Sequence, residues 1–438
     1  MLRNFRGRSE AGARGEYPKL FRNYTDTADH PKIMVNENFQ KDFCRHLIGW
    51  YHSAHRTLPW RETRNPYFIW VSEAMLQQTQ VQTVIPYYGR FIETFPTLIR
   101  LADADIQDVL KIWEGLGYYS RARHLYEAAR IVCRTYGGTI PDTWASFRKL
   151  PGVGDYIAAA VLSFAFRQPH AVVDGNVKRV LARIFEIDEP VNQLSAKPVY
   201  QSVAKRLLSL HEPDMFNQAV MELGALICTP KNPGCENCPM SSLCRSFQNR
   251  SVSQYPKRVE SRSVPTYAVS VGMVQNAQNR FLITRRAASG LLGGLWEFPG
   301  GKIQLNETPE TACLREIREE VNLKVRIVEN LGTIRHAYTH FRIIASVFLA
   351  TADSSEVVLN GPVDYQWVSL DQISQYPLPK ATHKMVALFL SKMPIPYVIR
   401  HENHMAVQKC RNGSGSRADT VHSGQFVSHQ GGQGHQRR

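Results

Sequence analysis

The feature that most constrains this chain is a group of four cysteines within seventeen residues. They follow the pattern C-x6-C-x2-C-x5-C, and the prolines and glycines between them favour tight turns. The four residues are Cys228, Cys235, Cys238 and Cys244. In a reducing compartment such a cluster indicates metal ligation rather than disulfide pairing. The spacing alone leaves two centres open, a zinc ion and a four-iron four-sulfur cube.

The charge balance points to a polyanionic partner. The 438-residue chain has a formal net charge of +15, which suits nucleic acid or an anionic membrane surface. A membrane partner is disfavoured because no apolar run reaches the ~18 residues of a spanning helix. The first 30 residues also lack the apolar core of a secretory signal. We therefore expect an intracellular, DNA-associated protein, which in a bacterium would lie in the cytoplasm and nucleoid.

The chain is longer than one hydrophobic core usually serves, so we expect two domains with terminal extensions. Apolar residues at helical spacing, broken by Pro and Gly, predict an all-α domain before the polar linker. Alternating apolar runs around one amphipathic helix predict an α+β domain after it. The expected segments are a disordered or non-native extension over 1–35 with Met34 as a candidate start, a helical domain over 36–250 with the cysteine loop at 228–244, a linker over 251–265, the α+β domain over 266–396 and a disordered basic tail over 397–438.

A second motif is the segment LPGVGDY, which separates two predicted helices. Gly152 and Gly154 allow a tight turn, and the backbone amides at the start of the second helix can bind a DNA phosphate. Taken alone, such a turn also fits an ordinary helix connection. Asp174 follows twenty residues after the second glycine, where a lone Asp before Gly is usually a cap or turn residue.

The hairpin, the Asp and the four-cysteine loop, in this order, resemble the endonuclease III superfamily of DNA glycosylases over roughly residues 36–250. The resemblance implies a four-iron four-sulfur cube on the four cysteines, with a structural or DNA-positioning role. It also implies that Asp174 is the catalytic aspartate. Members that cleave the strand carry a lysine at the position of Tyr156, and a phenol cannot form the imine that such cleavage needs. A monofunctional glycosylase is therefore expected, and the resemblance implies that Tyr156 lies in the catalytic site near the sugar, with packing as the alternative role.

The stretch RTLPWRETRNPYFIWVSEAMLQQTQV, residues 56–81, resembles the MutY family of adenine DNA glycosylases. Glu73 lies among apolar neighbours, which favour its protonated form. The chemistry implied is protonation of adenine at N7 by Glu73 and stabilisation of the sugar cation by Asp174, with a covalent bond to Asp174 and with Glu73 then acting as base for water. A surface carboxylate would be the ordinary interpretation of Glu73 without the neighbouring LQQTQ segment.

The same resemblance implies the remaining residues of the base pocket. Trp and Tyr are also ordinary core residues, so packing stays an alternative for each. The expected pocket lining is Arg56, Trp60, Arg61 and Leu76, while Gln218 contacts an adenine edge. Asn176 is expected to position the water or the carboxylate. Gln78 and Tyr118 are expected to wedge into the duplex around the 8-oxoguanine.

Residues 300–323 fit the Nudix box G-x5-E-x7-R-E-x2-E-E, with Asn322 in place of the usual glycine. Glu316, Glu319 and Glu320 share one helical face and could hold Mg²⁺ against a diphosphate, although a solvated acidic face has the same pattern. The flank FLITRRAASGLLGGLWEFPGG resembles MutT, a Nudix hydrolase of 8-oxo-dGTP. In MutY proteins the corresponding domain recognises 8-oxoguanine in DNA.

The segment HAYTH, residues 336–340, resembles the MutY loop that contacts 8-oxoguanine. Tyr338, Thr339 and His340 take the contacting positions. Tyr replaces Phe and Thr replaces Ser in that loop, which keeps the ring and the hydroxyl but leaves the detailed discrimination open. A plain β-turn is the alternative.

The leading hypothesis is a monomeric adenine DNA glycosylase with one [4Fe-4S] cluster. Its partner would be double-stranded DNA containing adenine opposite 8-oxoguanine or guanine, and its product an abasic site. Rival hypotheses are a thymine or uracil mismatch glycosylase, a Nudix nucleotide-pool hydrolase tethered to a DNA-binding module, and a non-catalytic damage reader. The presence of both Glu73 and Asp174 opposes the last of these.

Overall fold

The computed structural model describes residue 33, residues 35–260 and residues 263–393. Most of the extension predicted over 1–35 and the tail predicted over 397–438 lie outside the described residues. The chain divides into two compact units, residues 1–263 and residues 264–438. Within the described ranges, no helix combines the length and apolar character needed to cross a membrane.

Unit 1 is helical, as the apolar spacing predicts. Short 3-10 turns connect the later helices. One of these turns begins at Cys235 and is followed by Cys238, and another is followed by Cys244. The helices are α1 (Glu37–Ala54), α2 (Pro66–Leu76), α3 (Val81–Thr94), α4 (Leu98–Ala102), α5 (Ile106–Ile112), α6 (Ser120–Tyr136), α7 (Trp144–Phe147), α8 (Asp155–Phe166), α9 (Gly175–Phe185), α10 (Lys197–Leu207), α11 (Pro213–Leu226) and α12 (Arg245–Gln248).

Helix α2 carries the predicted acid, and the local sequence determines where this helix begins. The Asn65 side chain accepts a hydrogen bond from the Tyr67 amide, and Pro66 occupies the first turn, where its missing N–H is not needed. The helix is apolar around most of its circumference and packs against α3 and α8. Because its partner α8 is also apolar and rich in alanine, the two helices approach closely. A polar side chain on α2 is therefore buried.

The core beside this helix pair joins α1, α9, α10 and α11. Phe43 and Leu47 on α1 meet Leu181 on α9, Tyr200 on α10 and Phe216 on α11, and all five side chains are buried. Aromatic and aliphatic residues recur at three- and four-residue spacing on each helix, as a core-facing stripe requires. This core fixes the start of α9, where Asp174 lies.

The predicted hairpin is present, and its first helix is short. Helix α7 ends at Phe147, and α8 begins at Asp155 with Gly154 as its N-cap. Gly152 adopts a φ of +73°, a conformation that favours glycine. A Cβ atom at this position would also lie 2.6 Å from the Cβ atom of His124. Two independent constraints therefore require glycine here.

Over its described residues, 264–393, unit 2 is a seven-stranded mixed sheet with two helices. The strand order is β3-β2-β1-β6-β5, with β4 paired to β1 and β7 paired to β2. Strands β1 and β6 are parallel, and the other pairs are antiparallel. The elements are β1 (Thr266–Gln275), β2 (Phe281–Arg285), β3 (Trp296–Glu297), β4 (Gly300–Lys302), α13 (Pro309–Val321), β5 (Val325–Ala337), β6 (Arg342–Ala352), β7 (Asp364–Val368) and α14 (Lys380–Lys392).

The two helices of unit 2 cover opposite faces of its sheet. Met273 contributes to the core under α14, and the next residue, Val274, contributes to the core under α13. This alternation follows from the two-residue period of a strand. Asn322 ends α13 with a φ of +54°, a conformation that Asn tolerates where glycine is usual. The expected combination of an all-α unit and an α+β unit is confirmed.

Replacing Gly152 with Ala should lower the free energy of unfolding of unit 1 by at least about 2 kcal/mol, because the change combines an unfavourable φ with a clash against His124. Urea titration followed by helical circular dichroism measures this. The matched control is Gly49→Ala, within α1, where a Cβ meets no atom within 4 Å. That change should stabilise unit 1 by up to about 1 kcal/mol. Equal effects of the two substitutions would contradict the geometry.

Candidate active site

Nine of the predicted site residues line one cavity of about 450 Å³ in unit 1. The volume lies in the range of pockets that bind small organic groups. The nine are Arg56, Trp60, Arg61, Glu73, Leu76, Tyr156, Asp174, Asn176 and Gln218. They come from α2, α8, α9, α11 and the loop after α1, so only the tertiary fold brings them together.

Glu73 is a buried carboxyl group held by a tyrosine. Its side chain is 3% exposed, and its Oε2 accepts a 2.6 Å hydrogen bond from the Tyr156 hydroxyl. Burial raises the pKa of Glu73 to about 7, although the hydrogen bond from Tyr156 opposes this rise. The negative charge of Asp174 raises the pKa of Glu73 further. Glu73 can therefore hold a proton near neutral pH.

Asp174 lies at the start of α9, and its carboxylate is held by two donors. Its Oδ1 accepts from the Val177 amide at 2.7 Å, which caps the helix, and its Oδ2 accepts from the Asn176 side chain at 2.9 Å. Burial raises the pKa of Asp174, and both hydrogen bonds oppose that rise. The positive end of the α9 dipole also favours the ionised form. The cap role and the catalytic role expected for Asp174 are therefore compatible.

A buried arginine connects Asn176 to the cysteine loop. Arg179 donates through Nη2 to the Asn176 Oδ1 at 2.8 Å and to the Gly224 carbonyl at 2.6 Å. Its Nε donates to the Cys228 carbonyl at 2.7 Å. The hydrogen bonds thus run from a predicted cluster ligand, through Arg179 and Asn176, to the carboxylate of Asp174. Sequence reasoning missed Arg179, although it lies one turn after Asn176 on the same helix.

Glu222 is the second residue that sequence reasoning missed. It is fully buried in the cavity wall and accepts hydrogen bonds from Arg56 at 2.6 Å and from Arg61 at 2.8 Å. Burial alone would raise its pKa, but these hydrogen bonds lower it to about 2. Glu222 is thus an anion that fixes both arginines at the pocket. An available signal was its position one turn after Gln218 in the otherwise apolar segment AVMELGAL.

Gln218 is oriented by a tyrosine from α1. The Tyr51 hydroxyl donates to the Gln218 Oε1 at 2.9 Å, so the Gln218 amide nitrogen is the group that remains to donate to a base. Trp60 is buried and packs edge-on against Tyr88, with ring centroids 5.3 Å apart. Trp60 therefore has a packing role as well as a place in the cavity wall.

The two predicted wedge residues do not line the cavity. Gln78 lies just after α2 with a φ of +57°, and Tyr118 lies just before α6 with a φ of +48°. Both are non-glycine residues in a left-handed conformation, which is uncommon and is often found at functional sites. Gly152 and Gly154 lie in the hairpin, also outside the cavity lining.

The four cysteines line a second cavity of unit 1, whose other walls are mainly apolar. The Cys228 sulfur accepts a hydrogen bond from Arg183 Nη1 at 3.3 Å. Within the described ranges, no group of three or more His, Cys, Asp or Glu side chains is arranged around a single metal ion. The four thiols line one cavity, and four cysteine thiolates are a donor set that fits an iron–sulfur cluster as well as zinc.

Unit 2 contains its own cavity, also of about 450 Å³. Glu316 and Glu320 of the Nudix box line it, whereas Glu319 does not and instead forms an ion pair with Arg315 at 3.0 Å. Burial raises the pKa of Glu320 to about 7, even though its carboxylate accepts from the Gly300 amide. The predicted trio therefore splits, with two carboxylates in the cavity and one on the surface.

The predicted HAYTH contact residues lie at the turn between β5 and β6. Tyr338 lines the cavity of unit 2 and stacks on Phe341, with ring centroids 4.7 Å apart. Thr339 and His340 form the turn itself and are exposed. The same cavity contains the ion pair between Arg286 and the half-buried Glu297, which the sequence motifs did not indicate.

Each of the two units matches a known protein family. Residues 71–206 match the family model of the HhH-GPD superfamily base excision DNA repair protein, and residues 270–388 match the NUDIX domain. Among solved structures, a thermostable thymine-DNA glycosylase has a TM-score of 0.44 and 31% identity, covering 48% of this chain and 97% of its own.

Curated relatives cover most of the chain. The adenine DNA glycosylase of Mus musculus is 34% identical over 402 residues, which span 79% of this chain and 78% of that protein. The adenine DNA glycosylase of Buchnera aphidicola subsp. Baizongia pistaciae is 32% identical over 345 residues, which span 78% of this chain and 95% of that protein. The family expected from the motifs is thereby confirmed, and this chain belongs to the adenine DNA glycosylases.

Proposed function

We propose that this chain removes adenine mispaired with 8-oxoguanine or guanine by hydrolysing its N-glycosidic bond, and that it leaves an abasic site in double-stranded DNA. The observation that carries the proposal is the placement of Glu73 and Asp174 in the wall of one cavity. One group can hold a proton near neutral pH, and the other is a carboxylate held by two donors. Hydrolysis of a glycosidic bond needs such a pair.

Glu73 supplies the proton. Adenine is a poor leaving group as an anion, and protonation at N7 lets the electron pair of the glycosidic bond leave with a neutral base. The bond between Tyr156 and Glu73 orients the carboxyl group toward the cavity. In the same site Tyr156 replaces the lysine of strand-cleaving relatives, so no imine forms with the sugar.

Asp174 stabilises the cation that develops on the sugar. Its carboxylate can bond to the sugar carbon as adenine leaves, and water then displaces it while Glu73 accepts the proton of the water. Asn176 and the Val177 amide hold the carboxylate in place for both steps. Arg179 positions Asn176 in turn.

The groups that would recognise the extruded adenine have orientations that other side chains already fix. The Gln218 amide nitrogen can donate to a ring nitrogen of adenine, and Arg56 and Arg61 are held by Glu222. Extruding a base costs a few kcal/mol for unpairing and unstacking. Gln78 and Tyr118 would fill the gap in the duplex, and the hairpin amides near Gly152 and Gly154 would bind a phosphate.

The cysteine loop would hold one [4Fe-4S] cluster through Cys228, Cys235, Cys238 and Cys244. Four thiol groups around a cavity, with Arg183 donating to one sulfur, support this assignment. The four cysteines, when they hold the cluster, would be tied together in the loop that follows α11. Iron and acid-labile sulfide analysis tests the assignment, since one zinc per chain would contradict it.

Unit 2 would recognise 8-oxoguanine in DNA through Tyr338, Thr339 and His340. The support is the exposed position of the last two side chains at a turn, next to a cavity that Tyr338 lines. DNA-bound nucleotide offers no free triphosphate, so recognition needs no hydrolysis. The protein would act as a DNA-associated monomer.

A second candidate function is Mg²⁺-dependent hydrolysis of an 8-oxo-nucleoside triphosphate by unit 2. The specific observation in its favour is that Glu316 and Glu320 face the same cavity as Arg286, so a metal-bound diphosphate and a base could share it. Incubating the pure protein with 8-oxo-dGTP and Mg²⁺ tests this function separately from adenine release.

Glu73→Gln and Asp174→Asn should each lower single-turnover adenine release by at least about a thousandfold, because one loses the proton donor and the other the charge that stabilises the cation. Binding of the mispair should change little, since both changes preserve shape. The matched control is Glu62→Gln, an exposed residue outside the cavity, which should retain the normal rate. Release within tenfold of the unmodified protein for either variant would refute the assigned roles.

The pH dependence of adenine release should report Glu73. The rate should fall as the pH rises through about 7, because the proton donor is then lost. The bond from Tyr156 lowers this pKa, so Tyr156→Phe should move the alkaline limb upward by roughly one pH unit. Tyr126→Phe, which removes a hydroxyl bonded to the Ala104 carbonyl, should leave the limb unchanged. A downward shift in the Tyr156 variant would show that the acid is a different group.

Thr339→Ala combined with His340→Ala should reduce the preference for 8-oxoguanine:adenine over guanine:adenine by about tenfold, because each loses a polar contact that only the damaged base can make. The measured quantity is the ratio of the two single-turnover rates. Release from guanine:adenine should stay near normal, since unit 1 holds the catalytic groups. Gln278→Ala, in the exposed turn after β1, is the control. An unchanged ratio would remove this loop from the recognition of damage.

A further inference from the structure

Arg121 is a buried arginine outside the catalytic cavity. It lies in the first turn of α6 and is 9% exposed. In the described part of the chain, its hydrogen bonds go to backbone carbonyls and one hydroxyl, and no carboxylate is among its partners. A buried cation is costly unless it is well solvated by polar groups. The charge of Arg121 is therefore solvated by carbonyl oxygens rather than by a carboxylate.

The first group of partners is the end of α2. Arg121 Nη1 donates to the carbonyls of Ala74 at 3.0 Å, Met75 at 2.7 Å and Gln77 at 2.6 Å, and Nη2 donates to the Thr79 hydroxyl at 3.3 Å. These carbonyls belong to the last turn of the helix and the residues after it, where a positive charge is favourable. Arg121 therefore contacts the residues immediately before and after Gln78 in the sequence.

The second group of partners is the turn that precedes α6. Arg121 Nη2 donates to the carbonyls of Gly117 at 3.0 Å and Leu116 at 3.4 Å, and Nε donates to the Tyr118 carbonyl at 3.4 Å. Its guanidinium also lies 5.3 Å from the centre of the Tyr118 ring. One side chain thus binds two separate segments of the chain.

Each of these segments contains a non-glycine residue in the left-handed conformation, Gln78 in the first and Tyr118 in the second. Such a conformation persists only where the surroundings determine it. The hydrogen bonds of Arg121 to the flanking carbonyls supply that determination at both places.

We propose that Arg121 is a positioning residue that fixes Gln78 and Tyr118 together for insertion into the duplex. The inference rests on the proposed function, in which these two residues replace the extruded base. Arg121 touches neither the base nor the reacting atoms, and Glu73 lies in the wall of the cavity rather than among its contacts. Its effect is therefore on extrusion of adenine and not on the proton transfer.

The geometry requires arginine rather than lysine. The guanidinium is a planar fork with five N–H donors, whereas an ammonium offers three from a single point. Only the fork can bind both segments at once. Arg121→Lys is therefore the variant that keeps the charge and removes the bridge.

The test is a double-mutant cycle on the full chain. Arg121→Lys is made in the normal protein and in a Gln78→Ala/Tyr118→Ala background, and single-turnover adenine release and the fluorescence of a 2-aminopurine beside the adenine are measured. In the normal protein, Arg121→Lys should lower release by about tenfold and reduce the extrusion signal. In the background it should add less than about twofold, because the residues it positions are already gone.

Controls separate positioning from general loss of structure. Arg130→Lys changes an exposed arginine on the same helix and should leave both signals unchanged. The alkaline limb of the pH profile should be the same in Arg121→Lys as in the normal protein, because Arg121 is not among the groups that shift the pKa of Glu73. If Arg121→Lys does not fold, Thr79→Val removes one acceptor of the guanidinium and takes its place in the cycle.

A loss of similar size in both backgrounds would overturn the inference, since it would mean that Arg121 acts independently of Gln78 and Tyr118. So would a shifted pH limb with an unchanged extrusion signal. Failure of the proposed function looks different, because the normal protein would then release no adenine from either mispair. Non-additive loss with an unchanged pH limb supports Arg121 as the residue that joins the two wedges.

Discussion

The hydrogen bond between Tyr156 and Glu73 joins two helices that are buried around most of their circumference, and the proposed catalytic site depends on it. A carboxyl group in such a place would be costly if it were ionised and unpaired. Burial therefore favours the neutral acid, while the tyrosine keeps its pKa near 7 rather than higher. The opposing carboxylate, Asp174, has two hydrogen-bond donors and a helix N-terminus instead. Two similar side chains thus acquire different roles from their surroundings.

Buried arginines organise the parts of unit 1 that are not helices. Arg179 connects the loop at Cys228 to Asn176, Arg183 binds the Thr229 carbonyl and the Cys228 sulfur, and Arg121 binds two turns. In each case the guanidinium donates to carbonyl oxygens at helix ends or in loops. Because one planar group offers five donors, it can fix several loop atoms at once. The irregular segments beside the cavity are therefore held in place by specific contacts.

Unit 2 uses a different arrangement for its own cavity. Arg286 and the half-buried Glu297 form an ion pair in the wall of the cavity that Glu320 also lines, and burial raises the pKa of Glu320 to about 7. Arg315 meanwhile holds Glu307, Glu316 and Glu319 at the edge of α13. Of the three acidic residues that share one face of the helix, Glu316 and Glu320 thus line the cavity, whereas Glu319 is exposed to solvent. This separation bears directly on whether the unit recognises a base, binds a metal, or does both.

The sequence by itself determined the division into a helical and an α+β part, the cysteine loop and the hairpin, and it predicted Glu73 and Asp174 as the acid and the aspartate of the proposed site. Those features depend on local spacing, on turn residues and on motifs that remain visible along the chain. Only the tertiary structure revealed Glu222, Arg179 and Arg121, because each acts through partners distant in sequence or through backbone carbonyls that carry no sequence signal. It also separated Glu319 from Glu316 and Glu320, which helical spacing alone had grouped together. Burial and partner geometry are properties of the packed chain, and they decide which of several similar polar residues can do chemistry.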